Sequence, residues 1–237
     1  MPERPHKSIN KAAVSTMDVQ AVQVRLRTLL PSSIAVSVQA LDSLTRVQPE
    51  EERYISGQRM HPNREREFRA GRGCAQQALG RLGYHDVAVL PGADREPLWP
   101  SGVVGSITHS RQLAAAAVAW GGKFSALGID VEELGAGDDT VEAMIMSAQE
   151  RQSRPQAMPA DIWRMLHFSA KESVFKASFP RARIFFEFQD IELKIDVENG
   201  AYRVCTAAAL QLGVPGDLQG RWAVCAAHVV TVAFAVC

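Results

Sequence analysis

Two segments one hundred residues apart begin alike: FRAGRGCAQQAL from Phe68 and FSAKESVFKASF from Phe168. Each reads as a helix with an apolar side, and each is followed by a strand pair containing a run of small apolar residues. A fixed-period likeness of this kind is the mark of duplication. It predicts two similar lobes in one chain, related by a pseudo-twofold axis. Each lobe would be a small antiparallel sheet packed with a long helix, and a cleft would lie between them. In that register Arg72 falls opposite Glu172. The lobes are expected at residues 18–122 and 123–237, behind a disordered tail at 1–17.

The other elements fit this α+β expectation. Val22, Leu26, Leu29 and Leu30 recur at helical spacing over 18–30, and Pro31 stops them. Residues 34–41 alternate as a strand. Pro49 opens a short acidic helix, and a longer helix runs over 62–82. DVAVL (86–90) reads as a short strand. VVGSITHS, LAAAAVAW and 124–132 read as three more. LGAGDD is a connection, followed by short helices at 140–146 and 148–154 and a longer one at 159–178. FFEFQDIELKID, AYRVCTAA, GRWAVCAA and VVTVAFAVC complete a β-rich end. No βαβ rhythm runs through this order, which argues against a doubly wound α/β sheet.

With 26 basic and 26 acidic residues, the chain has no global field for nucleic acid or an anionic membrane. Any anion must be held locally. Cys74, Cys205, Cys225 and Cys237 lack metal-ligand spacing, sit in apolar surroundings and read as buried reduced thiols. No hydrophobic signal core opens the chain and no run is long enough to span a bilayer. A cytoplasmic protein is expected.

GIDVEE places Asp130 and Glu132 on one face of a strand, because side chains two apart point the same way. Paired carboxylates repel unless a cation lies between them, and an oxygen-only pair suits a hard ion such as Mg²⁺. A solvated strand end is the simpler reading of the pair alone. In FSAKESVFKA, Glu172 and Lys176 are one turn apart, which also describes an ordinary surface ion pair. Lys171 lies about 100° round the helix from Glu172. Taken together, three carboxylates beside two lysines point to a phosphate-ester or pyrophosphate substrate. In GSITHS, Gly105 allows close backbone approach, Ser106 and Thr108 share one face, and His109 takes the other unless the strand ends there. Arg64 and Arg72 share a helix face, and Arg95 sits in the DREPLWP loop; arginine forks suit phosphates.

In this order, REREFRAGRGCAQQAL, REPLWPSGVVGSITHS, LGIDVE and FSAKESVFKA resemble the 4′-phosphopantetheinyl transferases of broad specificity, which activate nonribosomal peptide, polyketide and siderophore synthases. The matching segments span 64–177, about half the chain. The resemblance implies two α+β lobes with coenzyme A in the cleft. It also implies transfer of the 4′-phosphopantetheine arm to a serine of an acyl or peptidyl carrier protein, with release of adenosine 3′,5′-bisphosphate. Mg²⁺, or Mn²⁺, would be held by Asp130, Glu132 and Glu172. Lys176 would neutralise the pyrophosphate, and Lys171 would contact phosphate or assist proton transfer. Glu172 or a metal-bound water would take the serine proton. Arg64, Arg72, Arg95 and His109 would hold the nucleotide, with Ser106 and Thr108 shaping its pocket. Arg151, Arg154, Arg164 and Met165 are candidates for carrier contact. A monomer is expected, since a pseudo-dimeric chain has less need to dimerise. A metal-dependent phosphohydrolase acting on a nucleotide, or a non-catalytic coenzyme A- or carrier-binding module, are the competing readings.

Overall fold

The computed structural model describes residues 15–135, 141–205 and 207–237. Most of the expected tail, the AGDD stretch and the start expected for the helix at 140 lie outside them. Two sheets organise the chain, and every strand pair in both is antiparallel. The first has three strands in the order β1-β3-β2: β1 (Ala35–Ala40), β2 (Val103–His109) and β3 (Leu113–Trp120). The second has five in the order β4-β8-β7-β6-β5: β4 (Phe124–Glu133), β5 (Leu193–Asp196), β6 (Ala201–Val204), β7 (Gln219–Cys225) and β8 (His228–Val236).

Each sheet carries one long helix. α3 (Pro62–Gly80) buries Cys74, Ala75, Ala78 and Leu79 against Ala114, Ala116 and Val118 of β3. Its glycines let it sit low: a Cβ on Gly71 would lie 2.9 Å from Ile107 of β2. α6 (Ala160–Ala182) buries Leu166, Ala170, Val174 and Ala177 against β4 and β8. It runs four residues past the expected end, with Pro180 in its last turn, where few helical bonds remain to lose. α1 (Thr16–Leu29) starts on a Ser15/Asp18 capping box. Its Val22, Leu26 and Leu29 join Val36, Ala117, Ile129 and Val232 in one apolar core that runs through both sheets. The chain passes from the first sheet to the second at Gly121 and Gly122, and the two sheets share this core.

Several expectations need correction. DVAVL joins no ladder. Its Val89 N–H bonds to Glu51 (2.8 Å), its Val89 carbonyl accepts from Arg72 Nε (2.5 Å), and its Val87 carbonyl accepts from Gln76 (2.5 Å). Side chains of α2 (Pro49–Gly57) and α3 thus take the place of a neighbouring strand. FFEFQDIELKID is strand only at its end, after a 3₁₀ turn at Phe188–Asp190. AYRVCTAA leaves the sheet at Val204 and enters the short helix α7 (Ala207–Gln211). The short helices α4 (Glu142–Ile145) and α5 (Ala148–Gln152) lie near their expected positions. Of the four free thiols only Cys74 is buried; Cys205 and Cys237 are exposed. Arg164 and Met165 are buried in α6 and cannot form a docking patch. Among the described residues no helix is long and apolar enough to cross a membrane.

Candidate active site

The two sheets meet along their edges, β2 against β4. These strands do not pair backbone to backbone; side chains of β2 bridge them. Ser106 Oγ accepts from the Ile129 amide (3.1 Å), and Thr108 Oγ1 donates to Asp130 Oδ1 (2.8 Å). The shared face expected of Ser106 and Thr108 is therefore the seam between the sheets. His109 ends the strand and turns toward the cavity beside it. Trp99 braces β2 from behind, donating from Nε1 to the Gly105 carbonyl (3.0 Å). A Cβ on Gly105 would lie 2.7 Å from that indole and 2.9 Å from the Ala117 carbonyl. The glycine and tryptophan of WPSGVVGS are thus one packing unit.

Gly128 lets α6 approach β4 so closely that a Cβ there would come 2.0 Å from the Ser173 carbonyl oxygen. This contact brings Glu172 and Lys176 over Asp130. Lys176 Nζ donates to Asp130 Oδ1 at 2.6 Å and lies 3.7 Å from Glu172. Asp130 is 1% exposed, and its second oxygen, Oδ2, is buried with no hydrogen-bond partner. Glu132 follows on the same side of β4 and lines the same cavity. Burial pushes its carboxyl up to about 8, with Asp130 and Glu172 adding repulsion against the offset from Lys176 and Arg111. Burial also raises the Glu172 carboxyl; Lys176 opposes the rise and Asp130 adds to it. Burial opposes the charge on Lys176, but Asp130 and Glu172 outweigh it and hold the ammonium above its ordinary pKa.

The raised Glu132 carboxyl has a consequence for stability. Its folded pKa lies above the unfolded value, so between about 4.5 and about 8 the native state binds more protons than the unfolded chain. Stability should therefore fall as pH rises through that window. Glu132→Gln is expected to flatten this part of the melting-temperature profile and raise its alkaline end. A profile unchanged by the substitution would show that Glu132 titrates normally.

Opposite the carboxylates lies a basic wall. Arg64 Nη1 is 3.0 Å from His109 Nε2. Burial depresses the His109 pKa, with Arg64 and Lys176 reinforcing and Glu67 and Asp130 opposing. Arg72 is nearly buried, its guanidinium 4.2 Å over the Phe68 ring. Burial lowers it to about 10, which leaves it charged at neutral pH. Arg95 reaches the cavity from a tight turn closed by Gly92 N–H to the Glu96 carbonyl (2.7 Å), with its own backbone at φ +70°.

One cavity of about 590 Å³ is lined by Arg64, Arg72, Arg95, Thr108, His109, Asp130, Glu132, Glu172 and Lys176. Ser106 lines a smaller chamber of about 200 Å³ next to it. Lys171 is in neither. Its ammonium, 1% exposed, donates to Glu150 (2.8 Å) and to the carbonyls of Ile145 (2.9 Å) and Phe188 (2.7 Å). The turn of about 100° from Glu172 carries it to the opposite flank of α6. It ties α6 to Ile145, to α5 and to the 3₁₀ turn, and so lies outside the cavity where a phosphate or proton role was expected for it. A residue not anticipated is Glu51. Fully buried, it bonds the amides of Gln48 (2.8 Å) and Val89 (2.8 Å), and the Val89 carbonyl holds Arg72. Only its spacing from Gln48, three residues earlier, distinguishes it in the sequence from Glu50 and Glu52.

The carboxylates fit a hard divalent cation. Their donors are oxygen only, Asp130 Oδ2 has no other partner, and burial, with Asp130 nearby, raises the Glu132 and Glu172 carboxyls. They do not form a closed cage: among the described residues no three His, Cys, Asp or Glu side chains converge to hold a metal by themselves. Any Mg²⁺ held there would take further ligands from water or substrate phosphates.

The cleft thus gathers cationic and carboxylate side chains, a lining that suits a phosphate ester. Residues 50–119 match the 4′-phosphopantetheinyl transferase N-terminal domain, and residues 126–232 match the 4′-phosphopantetheinyl transferase superfamily. The 4′-phosphopantetheinyl transferase Svp of Streptomyces mobaraensis is 40% identical over 202 residues, 80% of this chain and 79% of that protein. The transferase PptT of Mycobacterium tuberculosis is 33% identical over 184 residues, 74% of this chain and 80% of its own. Enterobactin synthase component D of Escherichia coli is 36% identical over 126 residues, 51% of this chain and 59% of that protein. The chain belongs to the 4′-phosphopantetheinyl transferase superfamily, of the broad-specificity type.

Proposed function

We propose that this chain transfers the 4′-phosphopantetheine group of coenzyme A to a serine hydroxyl of apo acyl or peptidyl carrier-protein domains, releasing adenosine 3′,5′-bisphosphate. The observation that carries this is the cleft whose lining gathers Arg64, Arg72, Arg95 and His109 with Asp130, Glu132, Glu172 and Lys176, Glu67 lying beside Arg64 and His109. Coenzyme A has the matching charge pattern: a 3′-phosphate at one end of its nucleotide and a pyrophosphate at the other. Arg64, Arg72, Arg95 and His109 bind the nucleotide end. Asp130, Glu132 and Glu172 would hold Mg²⁺, or Mn²⁺ in its place, which when bound neutralises pyrophosphate charge as a Lewis acid.

The protein's own groups do the rest. Lys176 places its ammonium where the leaving 5′-phosphate of the nucleotide gains charge, a pre-set electrostatic contribution that needs no reorganisation. The serine oxygen attacks the β-phosphorus, the bond to the bridging pyrophosphate oxygen breaks, and the nucleotide leaves with that oxygen. Glu172 Oε, in the cleft beside Lys176, accepts the serine proton. Positioning by both lobes supplies much of the acceleration. The chain is read as a cytoplasmic monomer.

Purified protein with Mg²⁺, coenzyme A and an apo carrier domain should add the mass of one phosphopantetheine group to the carrier. No gain across a panel of peptidyl and acyl carriers overturns the reading. Release of adenosine 3′,5′-bisphosphate without a carrier would replace it with a phosphohydrolase, and binding without turnover with a binding module.

A further inference from the structure

Four described residues other than glycine have a left-handed backbone, and two of them are arginines at one junction: Arg95 at φ +70° and Arg183 at φ +56°. Arg183 is the C-terminal cap of α6, its amide bonded to the Phe179 carbonyl (2.9 Å). Glycine is the usual residue in such a cap, because a Cβ there costs about 1 kcal/mol. An arginine that tolerates this strain invites a role for its side chain.

That side chain reaches back across the cleft. Its guanidinium lies 5.7 Å from the Phe179 ring centre, pairs with Glu96 and stands 3.6 Å from Asp94. Asp94 and Glu96 flank Arg95 in the turn that presents it. The Glu96 carboxylate is well covered, with a side chain only 7% exposed. It also accepts from the Asp94 amide (3.1 Å) and lies so close over Gly92 that a Cβ there would come 2.2 Å from it. An exposed ion pair is worth little. This one has a sequestered carboxylate, a cap that favours another residue, and no element other than the turn to hold.

We infer that Arg183 is a positioning residue for coenzyme A: it fastens the turn at 92–96 to the end of α6 and so fixes Arg95 at the cleft. The inference rests on the transferase reading. Arg95 contacts the ligand, and Arg183 acts through it. Without the fastening the turn samples other positions, and the ordering cost falls on ligand binding. The expected signature is weaker binding with chemistry intact.

Arg183→Gly tests this, because glycine suits the cap. The variant should melt at the parent temperature or above it. Its KM for coenzyme A should rise about tenfold with kcat changed less than about twofold. Calorimetry with adenosine 3′,5′-bisphosphate should show the same loss in Kd. Glu96→Gln, which leaves Arg183 in place, should reproduce it, and the double variant should be no worse than either single one. Unchanged KM and Kd in Arg183→Gly overturn the inference, as does a lower melting temperature with unchanged Kd, which would make the contact purely structural. If the parent protein itself neither binds nor turns over coenzyme A, the transferase reading fails, and this inference with it.

Discussion

The Gly128→Ala protein is expected to lose both stability and transfer activity. The added methyl would lie 2.0 Å from the Ser173 carbonyl oxygen and 2.7 Å from the Ala177 nitrogen. Both are backbone atoms of α6, so no side chain can swing aside. The helix must lift from β4, and Ser173 bonds to Thr231 of β8 are strained with it. Overpacking of this kind costs about 1–3 kcal/mol and sometimes more. The effect on activity should be larger, because Glu172 and Lys176 ride on the helix while Asp130 and Glu132 ride on the strand. A displacement of about 1 Å between reacting groups costs about a hundredfold. Denaturant midpoint and kcat/KM measure the two effects. Parent-like values in both would show that α6 and β4 can part freely.

Asp130→Asn is expected to lower kcat/KM by at least about a hundredfold with the fold retained. The amide oxygen can still accept from Thr108, so the seam survives, but Lys176 loses its nearest counter-charge and the carboxylate cluster loses its central member. A second readout separates electrostatics from damage. Asp130 raises the pKa of both Glu132 and Glu172, so its neutralisation should lower Glu132 from about 8 toward the ordinary carboxylate range. Carboxyl NMR titration measures this. Glu172→Gln should match the loss of turnover. Full activity in both variants would remove the carboxylate cluster from the mechanism.

Much of this arrangement was legible in the sequence where spacing within one element decides geometry. Asp130 and Glu132 share a strand face, Glu172 and Lys176 share a helix turn, and the helices bearing Arg72 and Glu172 each cover one sheet. What escaped depends on partners far along the chain. Lys171 is adjacent to Glu172, and sequence alone placed it at the same site. Its direction is settled by Glu150 and two carbonyls that wait on the other flank of α6. DVAVL has the alternation of a strand, and its backbone is held as a strand would be, but by side chains of Glu51, Arg72 and Gln76. No local pattern reveals that substitution. Glu51 was hidden for the same reason, since its main partner, Val89, is thirty-eight residues away.

The seam between β2 and β4 also bears on how the chain stays apart from its neighbours in a crowded solution. An uncovered strand edge is a template for another chain to add to. Here two such edges shield each other, fastened by two hydroxyl bridges rather than a ladder. One bridge ends on Asp130, so a carboxylate of the cleft is also a fastener of that mutual shield. Widening the cleft far enough to break it would bare two adhesive edges at once. Protection from aggregation therefore sets a limit on how far this cleft can open.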